Sequence, residues 1–396
     1  QNTFTRNATA NVGGGYYAKH WYANTNYSYY QNRFGIPLDF RETDPAKRSI
    51  PTHRRNIKFN IGLTDLDAFI TAAKVTVDFS RYKHQEIEDG VVGTTFRNDV
   101  NSYRAVFDQK KFGRLTGRFG FDGYGRDYST VGLETLIDGP VSQSAFSVFT
   151  LQELKWERVS LQFGGRIENN RYRPTNPNLE QRDFTGFSGA VGARFDLWKG
   201  GAFVANYSHS YRAPAIEELY NNGAHDGTLT FEIGNPTLKP ETNDGIDIAL
   251  RQQSKRIKAD ANFYYYDLKD YVFLAPTGVV DPDSGFPVAR YLQGHTRFVG
   301  AEFNLDYTAA NFLNIIAGFD YVNAKLVDGL PLPRIAPMRG RIGLDAHYKN
   351  FSVRPEFAVV GDQTRVFENE SATAGYGVFN VSGSYVLPTK HSAHIF

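Results

Sequence analysis

Nine histidines and no cysteine limit the chemistry open to this chain. Without a thiol there is no disulfide framework, no thiolate metal site and no Cys nucleophile. The histidines fall at 20, 53, 84, 209, 225, 295, 347, 391 and 394, and only His391 and His394 form a close pair. Residues three apart on a strand point to opposite faces, so that pair is not placed to chelate one ion. Ser208-His209-Ser210 fails as a dyad because neighbours on a strand also face opposite ways. No Gly-x-Ser-x-Gly elbow, His-Glu-x-x-His pair or phosphate-loop glycine motif occurs. His225 stands apart from the others. Asp226 follows it and Glu232 lies close in sequence, so a carboxylate could complete or orient a ligand site on a neutral imidazole there. The competing reading is a solvated loop histidine.

The elements that would carry such a residue are β-strands. The 396 residues are 41% hydrophobic with a mean hydropathy of -0.44, and no apolar run approaches the ~18 residues of a transmembrane helix. Aromatic residues (24 Tyr, 31 Phe, 3 Trp) and 37 Gly suit sheet rather than a helix bundle. The 44 basic and 42 acidic residues nearly cancel, so no field points to nucleic acid. The first ten residues are polar and hold no signal-peptide core.

Strict apolar/polar alternation recurs along almost the whole chain. Ile246, Ile248 and Leu250 oppose Asp247 and Arg251, and Phe303, Leu305 and Tyr307 oppose Glu302, Asn304 and Asp306. The connections alternate as well. Tight links fall near 18–20, 64–67, 111–113, 155–158, 198–201, 253–256, 309–311 and 349–350; long polar ones fall at 32–52, 84–93, 126–141, 171–183, 213–241, 276–289, 327–336 and 362–374. Short turns on one rim and long loops on the other are the pattern of bacterial outer-membrane barrels, where one rim needs only closure and the other carries recognition. Counting through the links gives about 17 strands, an odd number that a closed single-chain barrel does not use, with residues 390–396 reading as the start of another. No repeat beyond the hairpin period and no internal boundary is visible, so 1–396 reads as one domain, a partial all-β antiparallel transmembrane barrel.

One connection carries a family resemblance. Tyr211-Arg212-Ala213-Pro214 leads through Glu217-Glu218-Leu219-Tyr220 to Gly234-Asn235-Pro236-Thr237-Leu238-Lys239-Pro240-Glu241. This is similar to the signature of TonB-dependent outer-membrane receptors, in which an Arg-Ala-Pro box, a Glu-Leu-Tyr and a Gly-Asn-Pro box bracket an outer loop. Gly164-Gly165-Arg166-Ile167-Glu168, Leu332-Pro333-Arg334-Ile335-Ala336-Pro337 and Asn380-Val381-Ser382 resemble further family segments in the same order. Physically, Pro214 ends a strand, Gly234-Asn235-Pro236 forces a turn, and Arg212 can pair with Glu217, Glu218 or Glu241 to pin the loop. These motif residues are expected to be structural.

The resemblance implies a barrel of about 22 strands, of which the plug and closing strands are absent here. It also implies energy-coupled uptake of a scarce metal or metal complex (zinc, haem or a ferric siderophore) through the TonB-ExbB-ExbD complex acting on a plug, in the outer-membrane lipid of a bacterium. No resident cofactor is implied. Asn222-Gly223-Ala224-His225 resembles the loop motif of zinc-uptake receptors, and haem receptors of the family place an axial histidine between similar boxes. The zinc receptors' His-rich loop has no counterpart, since 39–52 contains no histidine. A passive porin-like channel and, behind it, an outer-membrane barrel enzyme are the alternative functions.

Overall fold

The computed structural model describes residues 2–37, 46–132, 135–225, 227–387 and 393–395, and nearly all of the regular structure is strand. Ten strands come first: β1 (Thr5–Tyr17), β2 (Trp21–Gly35), β3 (Arg48–Leu63), β4 (Ile70–Glu88), β5 (Val91–Gln109), β6 (Leu115–Gly132), β7 (Val141–Lys155), β8 (Val159–Pro174), β9 (Arg182–Trp198) and β10 (Gly201–Arg212). A short helix α1 (Ile216–Tyr220) and a small hairpin, β11 (Asn222–His225) with β12 (Thr230–Ile233), interrupt the series. It resumes with β13 (Glu241–Gln253), β14 (Ile257–Val280), β15 (Pro287–Ala310), β16 (Leu313–Leu326), β17 (Arg339–Tyr348), β18 (Phe351–Val360) and β19 (Tyr376–Leu387), and β20 (Ala393–Ile395) pairs against β19.

Each wall strand pairs antiparallel with the next, and β10 joins β13 directly from Gly201↔Gln252 to Arg212↔Glu241, so the long connection leaves no gap in the wall. Strands β1–β10 and β13–β19 give the seventeen expected from the sequence. The sheet is not closed: among the described residues β1 pairs only with β2, and every residue of β1 is exposed, as befits a strand with no neighbour on its outer side.

Alternation sets the two faces. On β7 the inward Val141, Gln143, Ala145 and Ser147 are buried while the residues between them are exposed. Ile57, Phe59 and Ile61 of β3, Phe79 of β4 and Ile248 and Phe263 farther round are large, exposed and outward-facing. The pairings Ile57↔Phe79 and Ile248↔Phe263 merge them into an apolar outer band, the surface a bilayer would cover. Asp247, Arg251, Asn262 and Glu302 line the inner face.

Several outer links are shorter than the sequence suggests. The long link expected at 84–93 is a two-residue turn at Asp89-Gly90, both with positive φ, between strands of 19 residues each. The link expected at 276–289 shrinks to 281–286 because β14 and β15 run for 24 residues each. About 9–11 residues cross a bilayer, so these strands continue well beyond it. There both faces are wet, and alternation no longer marks a strand. The main buried core lies at this outer end, inside the wall: Phe96, Tyr128, Leu136, Ile137, Val141, Tyr172 and Phe184 pack against Ile216, Leu219, Tyr220 and Leu238 of the long connection.

Candidate functional site

The connection 213–240 folds inward as a cap on that core. Pro214 ends β10, and its carbonyl accepts a hydrogen bond from the buried Tyr172 hydroxyl at 2.6 Å. Leu219 and Tyr220 of α1 are buried, with the Tyr220 hydroxyl donating to the Glu180 carbonyl at 2.7 Å. Gly234 permits a close backbone crossing, since a Cβ there would lie 2.8 Å from backbone atoms of Leu219, Tyr220 and Asn221. Asn235 follows with its amide on the Glu218 carbonyl at 2.8 Å, and Pro236 completes the turn.

Arg212 pins both ends of the cap. Its Nη1 donates to Glu218 Oε2 at 3.0 Å and its Nε to Glu241 Oε2. Burial works against the guanidinium charge, but the bonds to Glu241 and Glu218 outweigh it and hold Arg212 charged. Of the three carboxylates that the sequence offers Arg212, Glu217 goes elsewhere: it accepts from Arg126 Nη2 of β6 at 2.7 Å. Through these contacts the residues of the boxes tie the two ends of the cap to each other and to the wall.

His225 ends β11 and faces a group of carboxylates. Its Nδ1 lies 3.1 Å from Glu232 Oε1, and its Nε2 lies 3.7 Å from Glu86 Oε1 of β4. Both carboxylates are buried, at 5% and 3% side-chain exposure, against 26% for the imidazole. Asn221 Nδ2, Thr228 Oγ1 and the Tyr291 hydroxyl of β15 also donate to Glu232. Burial alone would raise the Glu232 pKa, but the hydrogen bond and charge of His225, with the other donors, bring it below the usual carboxylate range. An ionised carboxylate only accepts, so Nδ1 of His225, the nitrogen that faces Glu232, carries a proton. Gly227 N donates to Glu86 at 3.1 Å and closes the hairpin tip onto the wall.

His84 stands on the same inner face of β4, two residues from Glu86, with its ring stacked on Phe96 at 4.2 Å between centroids. Phe96 also meets the His225 ring at 6.1 Å. Burial, and after it the charge of His225, lowers the His84 pKa to about 4, so it is neutral at pH 7. Burial beside Glu232 pushes the Tyr291 hydroxyl up. The site is therefore an imidazole oriented by one carboxylate, opposite a second carboxylate and beside a neutral imidazole.

Of the residues the sequence singles out, His225 and Glu232 come together, while Asp226 lies outside the described residues, as do His391 and the side chain of His394. His84, Glu86 and Tyr291 complete the group without having been anticipated. The one local signal was the His-x-Glu spacing, which puts 84 and 86 on one face of a strand. Among the described residues no three His, Cys, Asp or Glu side chains are grouped as a cage for a bare metal ion.

Residues 1–393 match the family model described as TonB dependent receptor-like, beta-barrel. The heme/hemopexin utilization protein C of Haemophilus influenzae (strain 86-028NP) is 26% identical over 195 residues, 43% of this chain and 27% of that protein. The hemin receptor of Yersinia pestis is 25% identical over 241 residues, 55% and 35% of the two chains. The matched stretches thus span about a third or less of those relatives' own length. Among solved structures, the copper transporter OprC superposes with a TM-score of 0.76 at 16% identity, covering 98% of this chain and 73% of that one. A double mutant of the Serratia marcescens hemophore receptor HasR, solved with its hemophore HasA and heme, gives 0.71 at 15% identity, covering 97% and 66%.

Proposed function

We propose, since the chain belongs to the TonB-dependent receptor β-barrel family and so lies in the bacterial outer membrane, that it is the barrel of a receptor for a metal complex, with haem as the favoured cargo. Two curated relatives carry haem or hemin in their names. The observation that carries the reading is the hydrogen bond between His225 Nδ1 and the buried Glu232. A carboxylate on one ring nitrogen fixes the tautomer and orientation of an imidazole and raises the basicity of the other, as in many ligating histidines. A metal complex that brings its own ligands needs only one or two from the protein, and Nε2 of His225 is placed to supply one by exchanging its long contact with Glu86. Phe96 and Tyr291 beside it offer flat aromatic surface. Zinc is the weaker cargo, because a bare ion needs three or four protein ligands grouped together.

Membership of the family supports the remaining elements of the reading. Residues 1–396 act as a single barrel domain within a wall of about 22 strands. Capture at the outer mouth leads to inward passage when the TonB-ExbB-ExbD complex pulls on a plug. The protein acts as a receptor and not as an enzyme, as do the receptors and transporters it resembles.

Titration of the purified complete receptor and its His225→Ala variant with haemin, and separately with zinc, tests this. The substitution is expected to weaken haemin binding by at least roughly 10- to 100-fold, the range known for outer-shell losses, with the barrel still folded. Unchanged haemin affinity returns His225 to a structural part of the cap. Selective loss of zinc binding makes zinc the cargo.

A further inference from the structure

The outer wall carries a charge imbalance on one side. Immediately beyond the apolar band of β3, β4 and β5, two cross-strand rows face outward: Arg55↔Arg81↔Asp99 and His53↔Lys83↔Arg97. These six residues line a shallow cleft of about 440 Å³. Arg55, Arg81 and Arg97 are exposed, and Lys83 is half-buried. The single carboxylate in the group, Asp99, lies 3.7 Å from Arg81 Nε. Among the described residues Arg55, Lys83 and Arg97 have no carboxylate partner.

Three other basic groups on the outward face are paired among the described residues. Arg171 and Arg173 share Asp183 at 3.8 and 2.9 Å, His209 sits 2.9 Å from Asp244, and His295 and Arg297 share Asp267 at 2.7 and 3.2 Å. On β3–β5, by contrast, Arg55 faces Arg81 and Lys83 faces Arg97 directly. Like charges opposite one another destabilise a ladder, so the arrangement calls for counter-charge from outside the chain.

We infer that this face docks a phosphorylated lipid of the outer leaflet, its phosphates in the Arg55/Lys83/Arg97 cleft and its acyl chains along Ile57, Phe59 and Phe79. Both halves of the ligand have their surface on the same strands. One residue step below the cations the wall is apolar, with Ile57 opposite Phe79 and Phe59 opposite Val77. A free anion would use only the upper half. Guanidinium groups give paired hydrogen bonds to phosphate oxygens, and basic patches at a membrane surface gain about 1 kcal/mol per Lys or Arg from anionic lipid.

The test is lipid titration of the complete receptor in detergent micelles, read by native mass spectrometry. The probes are lipid A (a bis-phosphorylated acylated disaccharide), the same lipid stripped of phosphate, and inorganic phosphate. Wild type is expected to bind lipid A, and the Arg55→Gln/Lys83→Gln/Arg97→Gln variant to bind it roughly a hundredfold more weakly. Arg171→Gln/Arg173→Gln removes equally basic but paired residues and is expected to leave binding unchanged. Equal binding of lipid A by wild type and the triple variant overturns the inference. So does equal binding of the phosphate-free lipid by wild type, a comparison that holds even if the triple variant does not fold. Displacement of lipid A by millimolar inorganic phosphate would reassign the cleft to a small anion and overturn it too.

Discussion

Replacing Arg212 by Ala asks how firmly the cap is held. The guanidinium bridges Glu218 and Glu241, whose side chains are only 16% and 10% exposed. Stranding one partner of a buried ion pair costs about 3–5 kcal/mol, whereas exposed pairs contribute about 1 kcal/mol or less. Two features place Arg212→Ala below the upper figure. The guanidinium itself is 44% exposed, and each carboxylate keeps a backbone donor, Ala215 N for Glu218 and Val272 N for Glu241. The expected cost is about 2–3 kcal/mol, felt as local release of 213–240 rather than unfolding of the wall. Hydrogen exchange resolved to peptides is the assay: amides of the cap should exchange roughly 30- to 150-fold faster, with β13 and β14 unchanged. Arg173→Ala is the reference, because its partner Asp183 is 54% exposed. If the cap exchanges no faster in Arg212→Ala than in Arg173→Ala, the fork is ornamental and the cap is held by its apolar core alone.

Acidification should loosen the same cap. His84 binds fewer protons folded, with a pKa of about 4, than unfolded, where it titrates near 6.5, so stability falls as pH drops through that window. Glu232, held below the usual carboxylate range, adds its loss at lower pH still, as its bond from His225 is given up. After correction for intrinsic exchange chemistry, cap exchange should quicken from pH 6.5 to 4, and His84→Phe should flatten the upper part of that profile; a flat wild-type profile would refute this. On the lipid side, Ile248→Arg or Phe263→Arg should each cost about 2–4 kcal/mol in the complete barrel and Asp247→Ala about 1 kcal/mol or less, measured by urea unfolding in bilayers. Equal costs on the two faces would mean that the inside-outside register is wrong.

The wall was readable from the sequence because the bilayer imposes a period of two on every crossing strand, and Ile246, Ile248 and Leu250 against Asp247 and Arg251 state it outright. Legibility ended where the bilayer ends. Glu86, Ile87 and Glu88 continue a strand with no apolar stripe, so they read as loop. The cap was legible in its punctuation, with Pro214 and Gly234-Asn235-Pro236 at its ends, and in the pairing of Arg212 with Glu218 and Glu241. The site was half legible. His225 and Glu232 are seven residues apart and pair across a hairpin, but Gly227 meets Glu86 from 141 residues away, a contact only the barrel's curvature creates.

The unequal heights of the strands give the mouth two kinds of edge. Strands β17 and β18, of 10 residues each, do little more than cross the bilayer, whereas β14 and β15, of 24 residues, rise far above it. Over the low strands, the loops leaning on that tall screen supply Leu332 and Phe367, which pack with Phe273, Ala275 and Ala324. Bending the screen would strain a whole run of ladder hydrogen bonds at once, while lifting the loops exposes only a handful of apolar side chains. The compliance of this rim is therefore concentrated on one side: the screen is the door frame and the loops are the door.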